Sequence, residues 1–436
     1  MNAYDAGRMA DLLQTSHALF AVDAPQEADL IILNTCHIRE KAEEKIFSEL
    51  GRLRKLTQQH NPGHRVIFAV GGCVGQAEGA ALFKRAPYVD LVFGPQNYHR
   101  LPQMLDQVLR GARQIHDIDI PAESKFDALP VSARSERTAS VPVQEGCNRF
   151  CTYCVVPFTR GQEWSRPVEE ILAEISNLTA NGAVEIELLG QNVNAYQGSD
   201  RDGVEHDLAL LIRQVALVPG VERIRFITSH PADMSEELLT AFAEVPELSP
   251  YMHLPIQSGS DRILQAMNRG HTVEEYLTWI DKLREICPDI ALASDFIVGF
   301  PGESDEEFQQ TLDLIEQVRY DHAYSFVFSP RPGTAAALMT DQVPRAVSEA
   351  RLAILQERIN AIQVEKNQAQ IGRVESVLVE GPAKKGGGLM AGRTGGFRRI
   401  NFPASSDLTG HLIYVLVTEA RPNSLIGRLF ESESAG

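Results

Sequence analysis

At 436 residues the chain has room for about three domains of ordinary size, and its 44% apolar and 23% charged residues exclude a disordered or fibrous protein. Lys and Arg total 41 against 58 Asp and Glu, a net charge of −17, which excludes an indiscriminate nucleic-acid binder relying on phosphate neutralisation. The imbalance is uneven: from Lys366 onward nine basic residues face six acidic ones, so the tail reads as a module suited to a polyanion. The apolar runs, such as Leu30-Ile31-Ile32-Leu33, fall far short of the ~18 residues of a membrane span. Met1-Asn2-Ala3-Tyr4-Asp5 has neither the basic start nor the apolar block of a signal peptide, so a cytoplasmic protein without a membrane partner is expected.

In chain order, a helix from about Asp5 to Phe20 precedes a buried strand at Asp29–Asn34 and a charged, periodic helix from Arg39 to Leu56. Further strands are predicted at Arg65–Val70 and Tyr88–Phe93. Strands alternating with helices predict a parallel sheet over 1–114. Cys36 and Cys73 each stand just past the carboxyl end of a strand, the edge where open parallel sheets bind ligands, so the two thiols are expected to converge. A polar stretch with Pro121 and Pro130 reads as a linker over 115–138.

Alternation resumes over 139–366. The strand candidates are Val141–Gln144, Val184–Leu189, Arg223–Thr228, Tyr251–Leu254, Ile290–Val298 and Ala323–Phe328. Six such units predict a partial (βα)6 barrel, with its chemistry at the strand exits: Cys147, Gln191, Asn192, Ser229, His230, Gln257, Ser258, Asp295, Ser329 and Arg331. A helix at Arg345–Gln368 leads into short β-rich runs over 367–432, which predict a small closed β-barrel of the nucleic-acid-binding sort. There, Arg373, Lys384, Lys385, Arg393, Arg398 and Arg399 surround Phe397 and Phe402, a pattern suited to phosphates and stacked bases. Cys287, before Pro288, reads as a buried thiol.

The densest chemistry is Cys147-Asn148-Arg149-Phe150-Cys151-Thr152-Tyr153-Cys154, a C-x3-C-x2-C loop at the exit of the barrel's first strand. Six cysteines in a cytosolic chain are not expected to form disulfides. Structural zinc normally takes four ligands, often as two separated pairs; three thiolates in one loop suit a cubane iron–sulfur cluster with one iron left open. A zinc knuckle or three simply buried cysteines remain the alternatives. Tyr153 is placed to pack over the ligand of that iron.

This triad resembles that of the radical S-adenosylmethionine (SAM) enzymes, and the whole chain resembles their methylthiotransferase family. The likeness extends through Asn34-Thr35-Cys36-His37-Ile38-Arg39-Glu40-Lys41-Ala42, Cys154-Val155-Val156-Pro157-Phe158-Thr159-Arg160-Gly161 and Leu189-Gly190-Gln191-Asn192-Val193-Asn194-Ala195-Tyr196. Thr228-Ser229-His230-Pro231 and His253-Leu254-Pro255-Ile256-Gln257-Ser258-Gly259-Ser260 add to it. Within the family it is most similar to the branch acting on N6-dimethylallyladenosine at position 37 of tRNA.

The resemblance implies a parallel α/β domain, a radical-SAM partial barrel and a C-terminal TRAM barrel. It implies that Cys147, Cys151 and Cys154 hold a [4Fe-4S] cluster that binds and cleaves SAM, and that Cys36 and Cys73 hold a second, auxiliary [4Fe-4S] cluster that delivers the methylthio group. Radical chemistry suits the target, because the hydrogen on C2 of adenine is not acidic enough for an ordinary general base. Gln191, Asn192, Ser229 and Asp295 are candidates to orient SAM or the base, each with an equal reading as a strand-end or cap residue. The implied partners are the tRNA anticodon stem-loop, an electron donor and a sulfur donor, with a monomer expected. The alternatives are a sister methylthiotransferase acting on threonylcarbamoyl-adenosine or a ribosomal-protein aspartate, and, from another class, a zinc-containing RNA-binding protein. One departure stands out. The family places a first auxiliary cysteine in a Gly-Cys-x-Met-Asn stretch after an initial strand, and Met1-Asn2-Ala3 resembles that stretch's continuation. The expectation is a start upstream of Met1, an uncovered sheet edge, and an auxiliary cluster poorly held by Cys36 and Cys73 alone.

Overall fold

The computed structural model describes residues 1–35, 40–60, 62–120, 125–130, 136–384 and 387–430. The N-terminal layer contains α1 (Asn2–His17), β1 (Leu30–Thr35), α2 (Glu40–His60), β2 (Ile67–Gly72), β3 (Leu91–Phe93) and β4 (Ile115–Asp117), its four strands all parallel in the order β1-β2-β3-β4. Both faces are covered, as a parallel sheet requires. Met9, Leu12 and Leu13 of α1 pack with Ile67, Ala69 and Phe93 on one side. Ile46, Leu50 and Leu53 of α2 pack with Phe68, Val70 and Val92 on the other. Among the described residues β1 is an edge strand, half-buried apart from Ile31. The stretch read as a linker begins with β4, whose Ile-His-Asp lacks the apolar run that marks a buried strand.

The central domain holds six parallel strands, β5 (Thr138–Pro142), β6 (Glu185–Leu189), β7 (Arg223–Ile227), β8 (Tyr251–His253), β9 (Ala291–Val298) and β10 (His322–Val327). They form two three-stranded sheets, β7-β6-β5 and β8-β9-β10, joined by the Ile224–Leu248 bridge, while β5 and β10 end the array unpaired with each other. This is the expected partial barrel. Side chains alternate along each strand: Val141, Ile186, Leu188, Phe226, Met252 and Phe296 enter the core shared with the helices, and the residues between them line the lumen. Helix ends are capped where the sequence supplies the chemistry: Thr272 with Glu275 and Ser304 with Glu307 form reciprocal capping boxes.

The helix Arg345–Gln368 runs into a closed barrel of β11 (Val374–Pro382), β12 (Leu389–Thr394), β13 (Arg399–Pro403), β14 (Leu412–Arg421) and β15 (Ser424–Leu429), in the order β11-β12-β13-β15-β14. No helix among the described residues is long and apolar enough to cross a membrane.

Candidate active site

The cysteine loop leaves β5 through Gly146, whose φ of +74° and crowded setting admit only glycine: a Cβ there would lie 2.0 Å from the Gln162 carbonyl oxygen. Buried Gln144 braces the exit. Its Oε1 accepts from the backbone N–H groups of Gln191 (2.9 Å) and Asn192 (3.1 Å), and its Nε2 donates to the Gly146 carbonyl at 2.7 Å. Gln191 completes the brace by accepting from Gly146 N–H at 2.6 Å. Further on, Arg149 forms a two-point ion pair with Asp233, and Thr152 ties the loop to Ala266 and Met267. Neither Gln144 nor Asp233 stood out in the sequence; a glutamine in an otherwise apolar strand was the available signal.

Cys151 is buried and Cys147 and Cys154 partly so. Burial pushes the Cys147 thiol up and the Cys154 thiol up to about 12, so ligation must displace protons that the protein alone holds firmly. Arg269, buried and also missed from the sequence, donates to Cys151 Sγ at 3.4 Å, and Val156 N–H donates to Cys154 Sγ at 3.5 Å. Donors aimed at sulfur suit thiolates bound to a cluster. Among the described residues no three His, Cys, Asp or Glu side chains converge on a single metal ion. Tyr153 packs into a small apolar cluster with Ile263, Met267 and Phe300.

The other candidates divide by what their polar atoms do. Gln191 is committed to the cysteine loop. Asn192 donates to Asp233 at 2.8 Å but leaves its buried Oδ1 without a partner, and Ser229 Oγ is buried and unpartnered as well. Such orphans at the mouth of a barrel fit a polar ligand. Asp295 is not at a strand exit as expected, because β9 continues to Val298; it sits inside the lumen, 3.4 Å from His253 Nε2. His230 Nδ1 accepts from Ala232 N–H at 3.2 Å and burial holds the ring neutral, while its buried Nε2, like the Asn192 and Ser229 oxygens, has no partner. Thr228 and Gln257 both carry positive φ, +68° and +83°, which marks strain at the strand exits.

Cys73 is buried at the carboxyl end of β2, as its first following helical residue. Cys36 lies outside the described residues. Nearby, Asn34 Oδ1, Thr35 Oγ1 and Gln76 Oε1 are buried without partners, a second set of orphans fitting a bound group at this sheet edge. A buried charge network joins the two cysteine regions. Asp5 of α1 accepts from Arg160 at 3.1 Å and lies 3.5 Å from Lys125; Glu145, two residues before Cys147, accepts from Lys125 at 2.6 Å and from Arg160 at 3.2 Å. Burial alone would raise the Asp5 carboxyl, yet Lys125 and Arg160 draw it below the usual range. Cys73 is close enough to Arg160 to favour its charged form, beside the larger effects of Asp5 and Glu145 against burial.

The tail corrects one expectation. Phe402 does not offer a stacking face: β13 alternates, so Ile400 and Phe402 point into the small barrel's core. Phe397 packs against Tyr251 of the central domain. Arg398 is paired with Asp321, Arg373 with Asp289 and Arg393 with Glu380, leaving Lys384 and Arg399 exposed, while Lys385 is outside the described residues. The exposed aromatics of this module are Tyr414 and Phe430, and others stand in and beside the cysteine loop, at Phe150, Phe158 and Trp164.

Fold and loop together define a radical-SAM protein. Residues 141–315 match the Radical SAM superfamily, 1–94 the uncharacterized protein family UPF0004, and 368–430 the TRAM domain. The fold resembles the radical SAM methyltransferase TsrM from Kitasatospora setae, with a TM-score of 0.55 at 14% identity over 87% of this chain and 76% of that one. Proteins named tRNA-2-methylthio-N(6)-dimethylallyladenosine synthase are far more similar. The one from Magnetococcus marinus is 59% identical over 98% of this chain and 97% of its own, and that from Methylococcus capsulatus 52% identical over 98% and 93%. The chain belongs to the family of these tRNA-2-methylthio-N(6)-dimethylallyladenosine synthases. Membership of the superfamily implies SAM and a [4Fe-4S] cluster.

Proposed function

We propose that the chain transfers a methylthio group to C2 of N6-dimethylallyladenosine beside the anticodon of tRNA. The observation that carries this is full-length identity of 59% to a synthase of that name, joined to a cysteine loop braced at a barrel mouth. Cys147, Cys151 and Cys154 would hold the cluster, and Cys36 and Cys73 a second one at the edge of the N-terminal sheet. When bound, the clusters and SAM supply the radical and sulfur chemistry that no side chain here can perform.

The chain's own residues orient and enclose. Gln144 and Gln191 fix the path of the cysteine loop, and Arg269 supports the Cys151 sulfur. Ser229 and Asn192 present unused polar atoms to SAM or the base, while Asp295 and His253 line the chamber below. The Asp5–Arg160–Glu145–Lys125 network ties helix α1 of the N-terminal domain to the residues flanking the cysteine loop. The target base, in a loop of the RNA, is splayed into that mouth. The protein works in the cytoplasm as a monomer, with an external electron donor and a sulfur donor that restores the second cluster. Mass spectrometry of tRNA nucleosides from cells lacking this protein tests the reading: N6-dimethylallyladenosine should accumulate and its 2-methylthio form disappear, and unchanged levels of both would overturn it.

A further inference from the structure

The end of the radical barrel opposite the cysteine loop is closed by the C-terminal module. Arg223, Tyr251 and His322 open β7, β8 and β10, and the turn between β12 and β13 lies against them. Arg223 Nη1 donates to the Arg393 carbonyl at 3.4 Å, Arg225 Nη2 to that of Thr394 at 3.0 Å, and His322 Nε2 to that of Gly396 at 3.0 Å. At the tip, the Phe397 ring centroid is 5.2 Å from that of Tyr251, with the guanidinium carbons of Arg225 and Arg393 at 4.7 and 4.5 Å. Ala291 and Ala293 complete the pocket. Aromatic and cation–π contacts of this kind stabilise well when shielded from water.

The backbone shows that the ring is held for its contacts. Phe397 has φ of +67°, a left-handed conformation that a bulky side chain adopts only at a cost. Glycine would close the turn without that cost. Above Phe397, Tyr251 shares a strand face with His253. His253 Nδ1 accepts from Thr228 N–H at 3.3 Å, so its proton is on Nε2, toward Asp295. Thr228 adjoins Ser229, whose buried hydroxyl has no partner.

We infer that Phe397 is a positioning residue for the radical barrel: the C-terminal module, besides meeting RNA, seats Tyr251 and His253 and thereby sets the Thr228–Ser229 turn at the SAM site. This rests on the barrel being the SAM-binding domain. Phe397→Gly removes the ring while relieving the backbone, and Phe397→Leu keeps apolar bulk in place. In the full-length protein with its clusters, Phe397→Gly should speed amide exchange in the peptide spanning 251–256 about tenfold, and weaken SAM binding without RNA about tenfold, with tRNA affinity changed less than about twofold. Phe397→Leu should recover most of both losses. Exchange in Phe397→Gly equal to wild type would overturn the proposal, as would normal SAM affinity, or a loss confined to tRNA binding. The exchange is read without SAM or RNA, so its failure is distinguishable from failure of the functional assignment.

Discussion

The loop bearing Cys147, Cys151 and Cys154 gathers its thiols in one short segment and is braced from four directions, by Gln144, Gln191, Asp233 and Arg269. The edge bearing Cys73 is assembled differently, from the ends of β1, β2 and β3, with Asn34, Thr35 and Gln76 holding unused polar atoms there. The first site is local and pre-organised; the second depends on the packing of a whole sheet and on its placement against the barrel. Removing one ligand should therefore act locally at the first, and altering the network between them should be felt at both.

The sharpest break is at the loop. Cys151→Ala should abolish reductive SAM cleavage, since it removes one of the three proposed iron ligands and leaves the buried Arg269 without its sulfur acceptor. Assay of 5′-deoxyadenosine under reducing conditions checks this, and product formation by the variant would show that the loop is not the SAM-cleaving site. Next in size is the charge network. Asp5→Asn leaves Arg160 and Lys125 sharing only Glu145 in a buried setting, at a cost of about 3–5 kcal/mol. Denaturant unfolding should show that loss, and a change below about 1 kcal/mol would mean that the network does not couple the two regions.

A smaller effect separates substrates. If the five-carbon prenyl group is buried at the mouth, about 0.8 kcal/mol per carbon sets an upper bound of about 4 kcal/mol, and tRNA lacking it should lose on the order of a hundredfold or more in kcat/KM. Equal turnover of the two RNAs would remove the apolar contact from the account. The smallest effect serves as a control remote from both cysteine sites. Hydrogen bonds from Arg262, at 2.6 Å to each oxygen, hold the Glu307 carboxyl down to about 2, against a modest opposing effect of burial. A depressed carboxylate contributes stability above its unfolded value near 4.5 and loses it as pH falls toward 2. Glu307→Gln should thus lower stability by about 1 kcal/mol at pH 7, after allowing for the exposed Arg262, and lose that deficit near pH 2–3. Chemical denaturation at both pH values measures it.

The same contrast explains what was legible in the sequence. Cys147, Cys151 and Cys154 are readable because their spacing lies within one loop, and most barrel strands because apolar residues recur at alternate positions, as in Arg223-Ile224-Arg225-Phe226-Ile227. β4 was not, because Ile-His-Asp is held by pairing with β3 rather than by its own pattern. Gln144, Asp233 and Arg269 act through partners tens of residues away, so spacing carries no trace of them. Phe397 and Phe402 show the limit most clearly. Composition grouped them with the basic residues as an RNA surface, whereas strand alternation buries one and the domain junction takes the other.

The most direct test of the two-site account is Cys73→Ala in the full-length protein, with 5′-deoxyadenosine and methylthiolated nucleoside counted in the same reaction. The account predicts that SAM is still cleaved while methylthio transfer is lost; methylthiolation at the wild-type level, or loss of SAM cleavage together with it, would contradict the division between the sheet edge and the loop.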